Sequence, residues 1–226
     1  MKSSRYFRKA FKAAIFLLAL TPISLLLWKA YADELSANPI ADITHETGIW
    51  TLRFLMITLS ITPLRKLTGW NTLQDFRKMT GLFAFFYGCL HLTTYIWLDQ
   101  FFQWSEMLKD IAKRPFIMVG FASFVLLIPL AITSLNYMIK KLGGKRWKRL
   151  HRLVYVAAIG GVIHYLWLVK ADRQRPIIYA GTLTLLLGYR VCSYIFNRIK
   201  KSNQTSAPKL ISSKKDSLPE TILIKD

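Results

Sequence analysis

Long apolar runs alternate along the chain with short basic loops, and that alternation predicts helices that cross a membrane. Six runs approach or exceed the length needed to span a hydrocarbon core of roughly 30 Å. They are residues 13–32 (AAIFLLALTPISLLLWKAYA), 47–64, 79–98, 115–136, 151–169 and 176–197. The first follows the basic segment MKSSRYFRKAFK, but it is long and no small-x-small cleavage site follows it, so a span is expected rather than a removed signal peptide. The predicted class is all-α: a polytopic membrane helix bundle of six transmembrane helices over 13–197. A basic segment, 1–12, precedes it, and a short polar tail, 198–226, expected to be disordered, follows.

Basic residues orient such a chain, because Lys and Arg near span ends stay on the cytoplasmic side. Segments 1–12, 64–78, 137–152 and 198–226 carry five, four, seven and seven of them. The alternate loops, around 29–46, 99–114 and 170–175, hold seven in all, with eight of the twelve acidic residues. Both termini are therefore expected in the cytoplasm.

Composition sharpens this picture. Of 226 residues 53% are hydrophobic and the mean hydropathy is +0.28, yet the formal net charge is +20. The positive clusters sit at membrane boundaries, so they read as contacts with anionic lipid headgroups, and no nucleic-acid partner is expected. Cys89 and Cys192 fall inside the third and sixth runs, where they read as small apolar groups and not as a disulfide. The absence of C-x-x-C-H argues against covalently attached c-type haem. With no G-x-G-x-x-G after a strand and no P-loop, a nucleotide-binding module must belong to another chain.

Candidate chemistry lies in the histidines. His45, in ADITHETG, reads as a solvated residue of the outer loop before the second run. His91 and His164 instead interrupt apolar runs, and an imidazole in hydrocarbon needs a hydrogen bond, a proton-relay role or a metal. Both runs ascend from the inner side, near Lys78 and His151, and each histidine comes thirteen residues later, about 20 Å up the axis. Two imidazoles at one depth, on two helices, form the arrangement that clamps a flat iron porphyrin from both faces. Zinc is the competing metal, but it takes three or four protein ligands, and no Cys, Asp or Glu stands at this level.

His151 lies at the inner end of the fifth run, between Arg149 and Arg152, and suits a second cofactor. On an ideal helix it points about 140° away from His164, unless Gly160-Gly161 relaxes the winding or lets a neighbouring helix or the porphyrin approach. The corresponding inner position of the third run is Arg77, followed by Lys78 and Met79. Arginine is a poor iron ligand but a good partner for a propionate or a phosphate. Arg53, inside the second run, is placed to meet a propionate of the outer haem. Arg77, Arg152 and Arg190 lie toward the inner face and are candidates for propionates or a flavin phosphate. The competing reading for each is snorkelling to lipid phosphate. Trp28, Trp97, Trp104, Trp147 and Trp167 lie near span ends, as an interfacial belt does. Beside electron transfer stand a proton-coupled transporter using intramembrane histidines and a plain membrane anchor. The first usually carries buried carboxylates, which these runs lack; the second leaves three histidines without a role.

The runs KRWKRLHRLVYVAAIGGVIHYLWLVK, FRKMTGLFAFFYGCLHLTTYIWLDQ and ITPLRKLTGW closely resemble the ferric-reductase-like transmembrane family. Within it they resemble the MsrQ (formerly YedZ) group, haem-binding membrane subunits of the bacterial periplasmic methionine sulfoxide reductase system. The resemblance covers about residues 10–200. It implies a multi-pass protein of the bacterial inner membrane, itself non-catalytic, that carries electrons through b-type haem. The donor would be the quinol pool or a cytoplasmic flavin reductase, and the acceptor the periplasmic molybdopterin subunit MsrP, which repairs oxidised methionine in envelope proteins. FMN is also associated with the group. The haem ligands would be His91, His164 and His151. Larger oxidoreductase relatives carry two histidines in each of two spans, whereas here Arg77 occupies one of those positions. They also carry a fused flavin domain, of which residues 1–226 show no motif, so a two-component system is expected.

Overall fold

A computed structural model describes residues 2–206; residues 207–226, most of the tail expected to be disordered, lie outside the described residues. Every regular element among the described residues is helical. They are α1 (Lys2–Tyr31), α2 (Pro39–Thr68), α3 (Gln74–Thr93), α4 (Trp104–Lys113), α5 (Pro115–Ile132), α6 (Asn136–Leu142), α7 (Gly144–Leu150), α8 (Leu153–Leu168) and α9 (Gln174–Ser206). A short 3₁₀ turn, Asn71–Leu73, leads into α3, and a π-helical stretch, Thr94–Asp99, leads out of it. Four helical segments are long and apolar enough to cross a membrane: Arg8–Tyr31, Pro39–Thr68, Asn71–Asp99 and Pro115–Ile132. With 16 residues, α8 is about 24 Å long.

Among the boundaries that differ from those expected, two bear on the histidines. The second helix begins at Pro39, so His45 stands on its second turn and not in a loop. Its start is a standard one: Asn38 caps the helix by accepting from the Ala41 N–H at 3.2 Å, and Pro39 occupies the first turn, where its missing N–H leaves nothing unsatisfied. At the far end Gly69 takes the left-handed conformation, φ 75°, and its N–H closes onto Arg65 O. The second difference is at His151. The fifth run is one helix, α8, but it starts at Leu153 and not at His151, because α7 ends at Leu150 and the chain turns through His151 and Arg152.

The chain divides after Leu187 into two compact units. In the first, α2 packs along α3, and α5 along α8. Buried Thr58 and Thr80 fix the α2–α3 register with a 2.9 Å hydroxyl–hydroxyl bond. Helix α1 is tied on by Tyr87 of α3, whose hydroxyl donates to Ala19 O at 2.9 Å. Pro22 leaves Leu18 O without its helical donor, and the Thr21 hydroxyl takes it at 2.7 Å. Ala84 and Ala158, with no accessible surface, mark the centre of this core. The described part of the second unit is the stretch of α9 beyond Leu187, which carries exposed Cys192 and half-buried Arg190.

Small residues let α5 and α8 approach, as membrane helices require. Gly160 faces Ser123 so closely that an added Cβ would overlap the serine hydroxyl, itself bonded to Val119 O at 2.8 Å. Gly161 faces the other way, with Leu52 of α2 at 3.2 Å from its would-be Cβ. The pair thus serves two neighbours at once. The Gly160→Ala variant is expected to be destabilised by about 1–3 kcal/mol through overpacking. Adding Ser123→Ala should recover most of that loss, because only the hydroxyl is in the way; thermal unfolding in detergent measures both.

Candidate functional site

Helices α2, α3, α5 and α8 enclose a cavity of about 220 Å³, with Ile111 of α4 completing its wall. The lining is mostly aliphatic and aromatic and includes no carboxylate. His91 from α3 and His164 from α8 both stand in it, ring centroids 6.1 Å apart and planes at 74°, edge toward face. The structure therefore brings together the two imidazoles that share a depth in the sequence.

Each ring is held by the same local device. His91 Nδ1 donates to Thr44 O at 2.8 Å, and His164 Nδ1 donates to Phe116 O at 2.6 Å. Four residues after each carbonyl comes a glycine, Gly48 on α2 and Gly120 on α5. A methyl on Gly48 would lie 3.0 Å from His91 Nδ1, and one on Gly120 would lie 2.6 Å from His164 Nδ1. The imidazole thus lies in the gap left by the missing side chain and reaches the carbonyl one turn earlier. With Nδ1–H committed to a carbonyl, Nε2 keeps its lone pair.

These residues fit a metal held from two sides. With metal–nitrogen bonds of about 2 Å on each side, two imidazoles sharing one metal have centroids about 6 Å apart. Rotation of one ring about the common axis leaves that geometry intact, so planes at 74° are compatible. Gly48, Gly88, Gly120 and Gly161 all line the cavity, and the space over them is taken by His91, Phe124, His164 and Leu52, which pack closely against the backbone there. Among the described residues no group of three or more His, Cys, Asp or Glu is placed to hold a metal ion, which is what zinc would require.

His151 is built differently. Its ring lies against Trp147, centroids 4.0 Å apart, and its Nε2 is 3.1 Å from Thr133 Oγ1. The Thr133 proton is directed at Pro129 O, 2.6 Å away, so Nε2 must carry the hydrogen and donate to the hydroxyl. His151 is thereby the opposite tautomer from His91 and His164, with its lone pair on Nδ1. Half-buried Arg77 lies close enough to His151 to interact with it electrostatically; Arg152, next in sequence, is exposed. Arg53 does not line the cavity. Its guanidinium lies 4.4 Å from the Trp50 ring centre and its Nε donates to the Tyr179 hydroxyl at 3.2 Å.

One lining residue escaped the sequence reading. His45 borders the cavity, its ring 6.0 Å from that of Tyr165. The signal was present: Asn38-Pro39 starts a helix, and Thr44, Gly48, Thr51, Leu52 and Leu55 then fall on one face at helical spacing, with His45 at its margin.

Comparison with known proteins follows the same lines. Residues 47–162 match the family described as ferric reductase like transmembrane component. The chain is 57% identical over 182 residues to the protein-methionine-sulfoxide reductase heme-binding subunit MsrQ of Herminiimonas arsenicoxydans, covering 80% of this chain and 84% of that one. It is 55% identical over 187 residues to the protein of the same name from Azospira oryzae, with 82% and 80% covered. For that from Xanthomonas campestris pv. campestris the identity is 46% over 205 residues, with 88% and 94% covered. No solved structure matches.

The glycine device is directly testable. Gly120→Ala should displace the His164 ring and weaken any metal porphyrin in the cavity by about tenfold or more, the equivalent of overpacking by about 1–3 kcal/mol. Gly181→Ala, where an added Cβ meets nothing within 4 Å, should leave binding unchanged. Soret absorbance per protein, measured on titration with haemin, reads both.

Proposed function

The chain belongs to the ferric reductase like transmembrane family and, within it, to the MsrQ subunits, and from that premise we propose that it carries electrons across the bacterial inner membrane through b-type haem. The donor in this reading is the quinol pool or a cytoplasmic flavin reductase. The acceptor is the periplasmic molybdopterin subunit MsrP, for repair of methionine sulfoxide in envelope proteins. The observation that carries it is the facing imidazole pair, 6.1 Å between centroids, each with Nδ1 bonded to a backbone carbonyl.

Bound between them, haem supplies reversible one-electron chemistry. The chain's own residues do the rest. His91 and His164 would hold the iron, and the carbonyls of Thr44 and Phe116, bonded to their Nδ1 atoms, would fix their tautomer and raise their basicity. Leu52, Leu55, Phe121, Phe124 and Leu127 exclude water and keep the site in a low dielectric. The lack of a lining carboxylate favours this reading over a proton-coupled transporter, whose relay would need one.

In the membrane we place six spans, counting α8 and α9 with the four long apolar segments, and both termini in the cytoplasm, from the distribution of basic residues. That orientation sets the cavity in the outer half of the bilayer and His151 near the inner face. Near His151, Arg77 and Arg152 are the groups we assign to the acidic substituents of a second cofactor, haem or FMN, and Arg53 to the propionate side of the outer haem. The protein is then a haem-binding subunit, with the chemistry on methionine sulfoxide performed by its partner.

His91→Ala and His164→Ala should each abolish the low-spin haem spectrum, read as dithionite-reduced minus oxidised absorbance of purified protein. His151→Ala should keep that haem and alter only an inner cofactor. A wild-type protein without a Soret band, or a His164→Ala variant with an unchanged low-spin spectrum, would falsify the assignment.

A further inference from the structure

The cavity holds a polar cluster that the histidine pair does not use. Of its polar lining side chains, Thr51 donates to Thr47 O at 3.0 Å, Ser123 to Val119 O at 2.8 Å, and Tyr95 to Asp110 Oδ2 at 3.1 Å. His91 and His164 are tied to their carbonyls. Three side chains remain: Thr44, His45 and Tyr165.

Thr44 is the sharpest of them. On α2 the hydroxyls of Thr47, Thr51, Thr58 and Thr68 all bond back to the carbonyl four residues earlier, at 2.7–3.0 Å, as a threonine in a helix ordinarily does. Thr44 Oγ1 does not. It is buried without any hydrogen-bond partner, in a residue whose carbonyl already accepts from His91. Thr62 Oγ1, farther along α2, is likewise buried and unpartnered, but of the two only Thr44 lines the cavity, where a bound group can reach it and offset the roughly 1–3 kcal/mol that an unpaired buried hydroxyl costs. His45, the next residue, makes a ring contact with Tyr165 and no hydrogen bond among the described residues. Tyr165 is 5% exposed, and its hydroxyl likewise bonds to none of the described residues. Its surroundings are polar, since it interacts electrostatically with Arg175, Arg53, Asp172 and Tyr179. Three uncommitted donors therefore gather at one end of an otherwise apolar chamber, the end nearest Pro39 of α2.

We propose that Thr44, His45 and Tyr165 receive the carboxylate side groups of the porphyrin and so orient it in the cavity, its acidic edge toward the Pro39 end of α2. The assignment rests on the haem reading of the histidine pair. It follows from complementarity: a dicarboxylic macrocycle clamped by His91 and His164 must set its charged edge against donors, and the remaining walls offer only hydrocarbon or committed groups. Arg53 then acts from behind, through Tyr179 and Tyr165, as a positive charge outside the cavity wall.

The test compares haem with its dimethyl ester, which keeps the iron and the ring but has no free carboxylate. Haem-depleted full-length protein in detergent is titrated with each, following the Soret band. Wild type is expected to hold haem at least tenfold more tightly than the ester. Thr44→Val, His45→Phe and Tyr165→Phe should each weaken haem severalfold to about tenfold, the scale of one hydrogen bond to a charged group, while ester affinity and the low-spin spectrum stay as in wild type. Equal wild-type affinity for the two ligands, or variants that weaken both alike, would overturn the proposal. A wild-type preference for haem that all the folded variants keep would assign the carboxylates to other donors, Arg53 among them, and overturn the proposal; where one substitution prevents folding, the other two are read. Wild type that binds neither ligand removes the haem reading itself, whereas wild type that binds both equally leaves that reading standing and removes only this one.

Discussion

Everything around the cavity depends on two hydrogen bonds from imidazole Nδ1 to backbone carbonyl, those of His91 to Thr44 and of His164 to Phe116. Each links a histidine-bearing helix to the helix packed along it, α3 to α2 and α8 to α5. A carbonyl inside an α-helix already accepts from the residue four positions on, and a side chain there would shield it. The glycine at that position, Gly48 or Gly120, removes the shield. One requirement, that Nε2 point into the chamber with its lone pair free, thus dictates a small residue on the partner helix, a short interhelical distance and a fixed register. The Thr58–Thr80 bond and the Gly160–Ser123 contact extend the same close packing along the two helix pairs.

The inner histidine lacks this arrangement, and the difference is chemical as well as positional. Thr133 has a single proton, directed to Pro129 O, which leaves its oxygen to accept from His151 Nε2. Trp147 covers one face of the ring while its own Nε1 donates to Thr133 O at 3.0 Å. A ligand approaching Nε2 would have to displace a hydroxyl that is itself well anchored. Nδ1 is the nitrogen with the free lone pair. The two ends of the bundle therefore present imidazoles of opposite tautomer, an electronic asymmetry that goes beyond the arginine standing where a second inner histidine would be expected.

Much of this was legible in the sequence because depth in a membrane is nearly linear in residue number. Thirteen residues from Lys78 and thirteen from His151 place two imidazoles level, and the folded chain brings those rings to 6.1 Å. What counting could not reach was set by local departures from one uniform helix. The turn at His151–Arg152 precedes α8, so His151 stands outside the helix that carries His164 and the 140° angle between them on an ideal helix does not describe the molecule. The start of α2 at Pro39 was missed because an apolar-run criterion ignores polar capping residues, and His45 was assigned to a loop with it. The Thr44-x-x-x-Gly48 and Phe116-x-x-x-Gly120 spacings are plain in the sequence, but nothing there says that an imidazole from another helix fills each gap.

The same reasoning explains why the polar cluster lies where it does. A helix that started at residue 47 would leave Thr44 and His45 in solvent, satisfied by water and unavailable to a ligand. Extending α2 backward to its Asn38 cap carries them below the rim of the chamber, where Thr44 loses water and gains no helical partner in exchange. The cap at Asn38 thereby bears on two things at once: the position of the Thr44 carbonyl that accepts from His91, and the burial of the hydroxyl of the same residue. One turn of α2 thus carries both the carbonyl bonded to His91 and the unpartnered hydroxyl of Thr44, so a change that frays the start of α2 acts on both, while a change in α8 acts on His164 and Tyr165.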